Sequence, residues 1–189
     1  MLFIDFSNWE WFKIGDIFKL EKGKCSNAPD LEEGNDIPYI GAKKNENGFM
    51  GFFKYDKKLV SKENCICFIS QGAGSNGFCN YFDIETIQST SNVLGYNKNL
   101  TPNIGLFIVT VSDLERPKWC FGRGRAPKLK NEMIKLPSKN GEPDWEFMEN
   151  YIKILRERER EPSIWFIFKN KKEFSINFIK TSKMKMILY

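Results

Sequence analysis

Histidine is absent from all 189 residues. That absence removes the side chain most often used as a general base near neutral pH, and the commonest metal ligand. A Ser-His-Asp or Cys-His hydrolase is therefore excluded. No apolar run approaches the ~20 residues a membrane helix requires, and Met1-Leu2-Phe3-Ile4 is broken by Asp5 before a stretch of signal-peptide length develops. Five cysteines without a secretory signal predict reduced thiols in a cytosolic protein. The Asn/Asp-Pro-Pro-Tyr/Phe motif expected of a DNA amine methyltransferase is missing, and there is no internal repeat of useful length.

Aromatic residues are plentiful. Seventeen Phe, five Trp and six Tyr, within a hydrophobic content of 41%, are ample for a packed core in one domain with a short appendage. The 29 Lys and Arg against 24 Asp and Glu give a net charge of +5. Such a balance permits a polyanionic partner without demanding one, so clustering of the charge decides the point.

Along the chain, residues 11–20 suggest a strand that turns into a short helical piece, and 21–36 a polar loop. Short strands are expected at 37–42, 49–55, 65–69, 78–82, 86–88 and 93–96, separated by Gly, Asn and Ser turns such as Asn47-Gly48. Residues 104–111 suit a buried helix or a strand equally, because periodicity does not arbitrate for a continuous apolar run. Met133, Ile134 and Leu136 then form a strand that Pro137 ends, and Asn140-Gly141 supplies a turn. Pro143 and Asp144 suit a helix start, one presetting φ and the other accepting orphan backbone N–H groups. Phe147, Met148, Tyr151, Ile152 and Leu155 follow as one apolar helical stripe. The fold class expected is α+β: a curved, largely antiparallel sheet with short helices, followed by a C-terminal helix. The expected division is a domain over 1–141, a helix over 142–161 and an atypical tail over 162–189. Pro162 stops the charged helix surface, and Ile164-Trp165-Phe166-Ile167-Phe168 begins a segment without turn logic. An aberrant reading frame and an extra covering element explain that tail equally well.

Several constellations bear on chemistry. The sharpest is the basic run over 121–130, with Arg123, Arg125, Lys128 and Lys130 and no acid among them. Guanidinium groups clamp phosphate or a guanine edge in bidentate fashion, and lysine serves as a point charge. The loop Gly72-Ala73-Gly74-Ser75-Asn76-Gly77 matches the dinucleotide pattern GxGxxG literally. A strand, not a helix, is expected after it, so a phosphate would lack the helix N-terminus it needs. With Ser70 and Gln71 beside it, that loop instead offers amides and hydroxyls to base edges or phosphates. Lys43-Lys44-Asn45 and Ser89-Thr90-Ser91-Asn92 are smaller polar sets at strand ends. Cys65 and Cys67 share one face of a strand with Cys79 on a neighbour, but Cys25 or Cys120 would complete a zinc site at spacings that match no common finger. Buried thiols are the better reading, and no metal is expected. Asp144, Glu146 and Glu149 lie in the first turns of a helix, where capping and dipole effects account for them.

Several segments, in order, resemble the target-recognition domain of specificity subunits in Type I restriction-modification enzymes. Trp11-Phe12 through Ile14-Gly15-Asp16-Ile17-Phe18 and Lys22-Gly23-Lys24 is similar to the family's opening. Ile37-Pro38-Tyr39-Ile40-Gly41-Ala42 with Asn47-Gly48 is similar to its next segment, and Phe121-Gly122-Arg123 through Lys128-Leu129 to its basic loop. The last is Leu136-Pro137 followed by Gly141-Glu142-Pro143-Asp144-Trp145-Glu146-Phe147-Met148. The resemblance implies a non-catalytic, cofactor-free, half-length or truncated specificity component, cytoplasmic, that binds double-stranded DNA. Its partners would be an adenine methyltransferase subunit, a restriction subunit and a second copy of itself, with no membrane. It implies DNA contacts from Lys43, Lys44, Asn45, Ser70, Gln71, Gly72, Gly74, Ser75, Asn76, Ser91, Asn92, Arg123, Arg125, Lys128 and Lys130. It also implies a partner-binding face on Phe147, Met148, Tyr151, Ile152 and Leu155. The alternative is a degenerate recognition domain that occupies the methyltransferase as a decoy. A weaker third is the recognition portion of a fused restriction-methylation enzyme.

Overall fold

A computed structural model describes residues 6–72, 74–119 and 124–160. The expectations for Arg123 and for the tail over 162–189 lie outside the described residues. In chain order the elements are β1 (Trp9–Lys13), α1 (Ile14–Ile17), β2 (Lys19–Lys22), β3 (Glu33–Ile40), β4 (Phe49–Phe53), β5 (Val60–Ser61), β6 (Cys65–Ile69) and β7 (Cys79–Phe82). They continue as β8 (Thr86–Gln88), β9 (Asn92–Tyr96), α2 (Pro102–Leu114), β10 (Met133–Lys139), β11 (Glu142–Pro143) and α3 (Trp145–Arg160).

The fold is α+β. Among the described residues the strands divide into three small sheets, ordered β1-β10-β11, β2-β9-β6-β7 and β4-β3-β8-β5. Pairing is antiparallel except where β3 runs alongside β8. β6 explains the division. All five of its side chains are buried. Ile66 and Phe68 face a core shared with α2, whereas Cys65 and Cys67 pack with Ile40, Phe82 and Leu94 in the layer towards the third sheet. A strand covered on both faces needs an unbroken apolar run, and Cys-Ile-Cys-Phe-Ile is one.

The ambiguous run over 104–111 is helical. Thr101 stands at the N-cap, where its hydroxyl accepts from Ile104 N at 3.2 Å, and Pro102 follows in the first turn. Cap and proline together begin a helix, and that pair in the sequence is the signal that separates helix from strand. Ile104, Phe107, Ile108 and Val111 enter the main core.

Pro137 does not end its strand. β10 runs to Lys139, with Pro137 opposite Trp9, and its carbonyl accepts from Asp144 N at 2.8 Å. Lacking an N–H, proline is tolerated where only its carbonyl is needed. Asn140 and Gly141, at φ 57° and 78°, close the hairpin between the paired Lys139 and Glu142. Two left-handed residues in a two-residue loop match the right-handed twist of the strands. Asp144 Oδ1 then accepts from Phe147 N at 2.9 Å at the start of α3.

The apolar stripe of α3 is spent inside the domain. Met148, Tyr151 and Ile152 belong to the main core, with Phe147 and Leu155 packed against it. Phe107 of α2 meets the rings of both Phe147 and Tyr151 edge-on. Burying such side chains contributes about 1.5–3 kcal/mol each. The Glu149 carboxylate accepts from Thr101 Oγ1 and from Asn103 Nδ2, bonding α3 to the first turn of α2. Met148 and Ile152 are thus unavailable to a partner while the domain is folded.

Candidate nucleic-acid interface

The four polar segments singled out in the sequence are bonded to one another. The first, over 41–48, is a closed loop: Gly41 N donates to Gly48 O at 2.8 Å and Gly48 N to Asn45 O at 2.9 Å. It presents Lys44 and Asn45 to solvent. Lys43 is half-buried and ion-paired with Glu46 at 2.5 Å. An exposed pair of this kind contributes little net energy, so Lys43 is readily exchanged onto another anion.

The second loop, over 70–77, lies against the first, because Ser75 Oγ donates to Ala42 O at 2.6 Å. It is joined to the turn between β8 and β9 by Ser70, whose N and Oγ both donate to Ser91 O, at 3.0 and 2.9 Å. That turn is tied back to the base of the first loop: Ser89 N and Asn92 Nδ2 donate to Ile40 O at 3.0 and 3.2 Å. Asn92 Nδ2 also reaches Gln88 Oε1 at 3.0 Å. The basic segment joins the second loop from its other side, where Arg125 N donates to Ser70 O at 3.3 Å. Asn76 Nδ2 adds a bond to Trp119 O at 3.3 Å. β7 follows the glycine loop, and no helix opens on it.

Side-chain placement divides the predicted contact set. Lys44, Asn45, Gln71, Gly72, Gly74, Lys128 and Lys130 are exposed, and Lys43, Asn76 and Ser91 are half-buried. Four others are placed inside. Ser70 and Ser75 are buried with their hydroxyls donating to backbone carbonyls. Asn92 is 0% exposed, and its amide joins two sheets. Arg125 is likewise 0% exposed. These four hold the surface together and do not present side chains on it.

Arg125 is the clearest correction to the sequence expectation. Its Nε donates to Glu132 Oε2 at 2.8 Å and its Nη2 to Glu132 Oε1 at 3.0 Å. Its Nη1 lies 3.5 Å from Cys79 Sγ, and the guanidinium carbon sits 5.2 and 5.8 Å from the ring centres of Phe68 and Trp119. Trp119 Nε1 donates to the same carboxylate at 3.1 Å. Burial opposes the guanidinium charge, but the neighbouring Cys79 and Glu132 outweigh it, so Arg125 is held above its ordinary value. Burial pushes the Cys79 thiol up to about 11 and Cys65 to about 12, so both are neutral near pH 7. Glu132 and Trp119 were not anticipated. The signal was there: an arginine seven residues before a glutamate that opens an apolar strand.

Cys25, Cys65, Cys67 and Cys79 are free and buried, and no group of His, Cys, Asp and Glu among the described residues could hold a metal ion. No described helix is long and apolar enough to cross a membrane.

The family model for the Type I restriction modification DNA specificity domain matches residues 6–164. The chain belongs to this family. Among individual relatives of this DNA specificity family, the Type II restriction enzyme BgcI specificity subunit S.BcgI of Heyndrickxia coagulans is 27% identical over 147 residues. The match covers 77% of this chain and 42% of that subunit, so the chain spans about two-fifths of that relative's length. The fold is shared with two solved specificity subunits. The S subunit of a Type-I restriction-modification system from M. genitalium matches with a TM-score of 0.57 at 19% identity, over 81% of this chain and 40% of that one. The HsdS subunit from Thermoanaerobacter tengcongensis matches with a TM-score of 0.58 at 14% identity, over 89% and 41%.

Proposed function

We propose that this specificity domain is a DNA target-recognition module that docks a partner adenine methyltransferase, and through it a restriction subunit, on one half of a split DNA site. It is itself non-catalytic. The observation that carries the reading is the mutual bonding of four loops, which carry Lys43, Lys44, Asn45, Gln71, Asn76, Lys128 and Lys130 at the protein surface. Lysines supply salt-dependent affinity for phosphates. Asn45 and Gln71, with the backbone of Gly72 and Gly74, offer donors and acceptors to base edges in the major groove, where each base pair has its own pattern. Rigid loops suit this work, because a floppy donor array would spend affinity on being ordered.

In this reading residues 6–143 form the DNA-facing body, and α3 is the arm towards the methyltransferase or a second copy. Since the inner stripe of α3 is covered by α2, the partner face is its outer side. There the exposed Glu146, Asn150 and Ile154, with Asp144, line an open depression of about 300 Å³ whose inner wall is formed by Phe147 and Tyr151 of the covered stripe. At ~1.5 Å per residue, the helix is about 24 Å long, short for a spacer that sets the distance between two half-sites.

The test is co-expression with the methyltransferase, followed by mapping of methylated adenines across bulk DNA. Methylation at one defined half-site, lost when Lys43, Lys44, Lys128 and Lys130 are replaced together by alanine, is the expected result. Binding to the methyltransferase without site-specific methylation would favour a decoy that occupies that enzyme.

A further inference from the structure

We propose that Arg125 is a positioning residue for DNA recognition: it locks the basic turn over 125–130 to the glycine loop over 70–77, so that the two meet DNA as one surface. The inference rests on the DNA-recognition reading above. It departs from the ordinary reading of an arginine in a basic loop, which is that the side chain touches the nucleic acid.

The geometry points inward and outward from one residue. Inward, the guanidinium is fully buried and bidentate to Glu132, with Cys79 and the rings of Phe68 and Trp119 around it. Cys79 belongs to β7 and Phe68 to β6, the two strands that the glycine loop connects. Outward, the backbone of the same residue forms the joint. Its N–H donates to Ser70 O at 3.3 Å, and its carbonyl accepts from Lys128 N and Leu129 N, both at 2.9 Å. The planar fork of arginine satisfies a carboxylate and a second acceptor from one fixed plane, whereas lysine is a point donor on a flexible stem. Pulling Arg125 out of its pocket would release the turn that aims Lys128 and, in the same movement, one of the bonds holding Ser70. The segment over 124–132 is also held by Leu129 in the core and by Ile14 N donating to Glu132 O at 2.9 Å. Arg125 therefore governs direction at the Ser70 side of the loop more than attachment of the loop as a whole.

The experiment is a double-mutant cycle on the full chain assembled with its methyltransferase, reading duplex-DNA affinity across a salt series. In the parent, Lys128→Ala is expected to lower affinity about 8-fold at 0.1 M salt and to reduce the salt slope by about 0.9, the loss of one phosphate contact. Arg125→Met with Glu132→Met removes both buried charges together and is expected to fold yet bind about 10-fold more weakly. On that background Lys128→Ala should cost less than 2-fold, because the lysine is no longer aimed; residues acting as a unit are not additive. Amide exchange at Lys128 and Leu129 should accelerate in the charge-free variant, a readout that needs no DNA. Arg125→Lys, which keeps the charge, serves if the double variant does not fold, and it should show the same loss of coupling. Full additivity of the Lys128 and Arg125 effects, with a further drop of about 0.9 in salt slope, would mean that Arg125 touches phosphate and would overturn the assignment. So would unchanged affinity in the charge-free variant while Lys128→Ala still weakens binding. Failure of the parent complex to bind any duplex would instead overturn the DNA reading itself, and this role with it.

Discussion

Arg125→Ala separates the sequence reading from the structural one by stability alone. If the side chain reached from a solvated loop to DNA, its truncation would change folding by less than about 0.5 kcal/mol, as surface substitutions do. In the structure the opposite holds. The substitution strips Glu132 of both its guanidinium bonds, at 2.8 and 3.0 Å, in a pocket where the arginine is 0% exposed. Removing one partner of a buried ion pair costs about 3–5 kcal/mol, because the remaining charge is left without compensation. The void between the Phe68 and Trp119 rings adds to the upper end of that range. Against a total stability of about 5–15 kcal/mol, this is a loss of about a fifth or more. For a domain of this size it lowers the melting temperature by on the order of 10 °C. Urea denaturation followed by Trp fluorescence, with Trp119 in the affected pocket, measures it directly. The paired Arg125→Met and Glu132→Met variant should recover most of the loss, since replacing both charges is near neutral. A loss below about 1 kcal/mol for Arg125→Ala would refute the buried-pair argument.

Asn92→Ala removes the amide that joins Ile40 O to Gln88 Oε1 and is expected to destabilise the domain by about 1–3 kcal/mol, because both acceptors stay buried; chemical denaturation should show it without any DNA present. Gly23→Ala would place a methyl group against Ser89 O and 2.7 Å from Gln88 O, parting the contact where Cys25 runs alongside Ser89. Overpacking against backbone costs about 1–3 kcal/mol, measurable as a lowered midpoint in the same assay. Alkali should destabilise the fold through its thiols. Cys65 and Cys79 are raised by burial from 9.0 to about 12 and about 11, so the folded state keeps protons that the unfolded state gives up. Their contribution is complete below pH 9 and is lost as pH rises towards 11–12, with a slope of at most ~1.4 kcal/mol per pH unit for each thiol. Cys65→Ala should flatten the decline in melting temperature between pH 9 and 11, and an unchanged decline would count against the thiols as its cause.

Local chemistry wrote much of the fold into the chain. Strand β6 has the limits that its apolar run and flanking turns suggest, because a strand buried on both faces needs continuous apolar residues and a turn needs Gly or Asn. Asn140-Gly141 specifies its hairpin, since few residues accept two successive left-handed conformations. Asp144 and the stripe from Phe147 to Leu155 specify α3, through a cap and a period. The order of the polar segments was also legible, and with it the family.

What the sequence could not settle is which way a side chain points once distant segments meet. Arg125, Asn92, Ser70 and Ser75 read as surface polar groups because each stands in a polar loop. They are buried because Ile40, Ser91 and Ala42, brought near by packing of the sheets, and Glu132 and Gln88, closer in the chain but aimed inward by the same packing, supply the partners that make burying a polar group tolerable. The stripe on α3 is similar. Its period announces that something covers it, and only the contact with α2 decides that the cover is this domain itself. Periodicity and turn chemistry act between neighbours in sequence and are read there, whereas the fate of a charge depends on which opposite charge the fold carries to it.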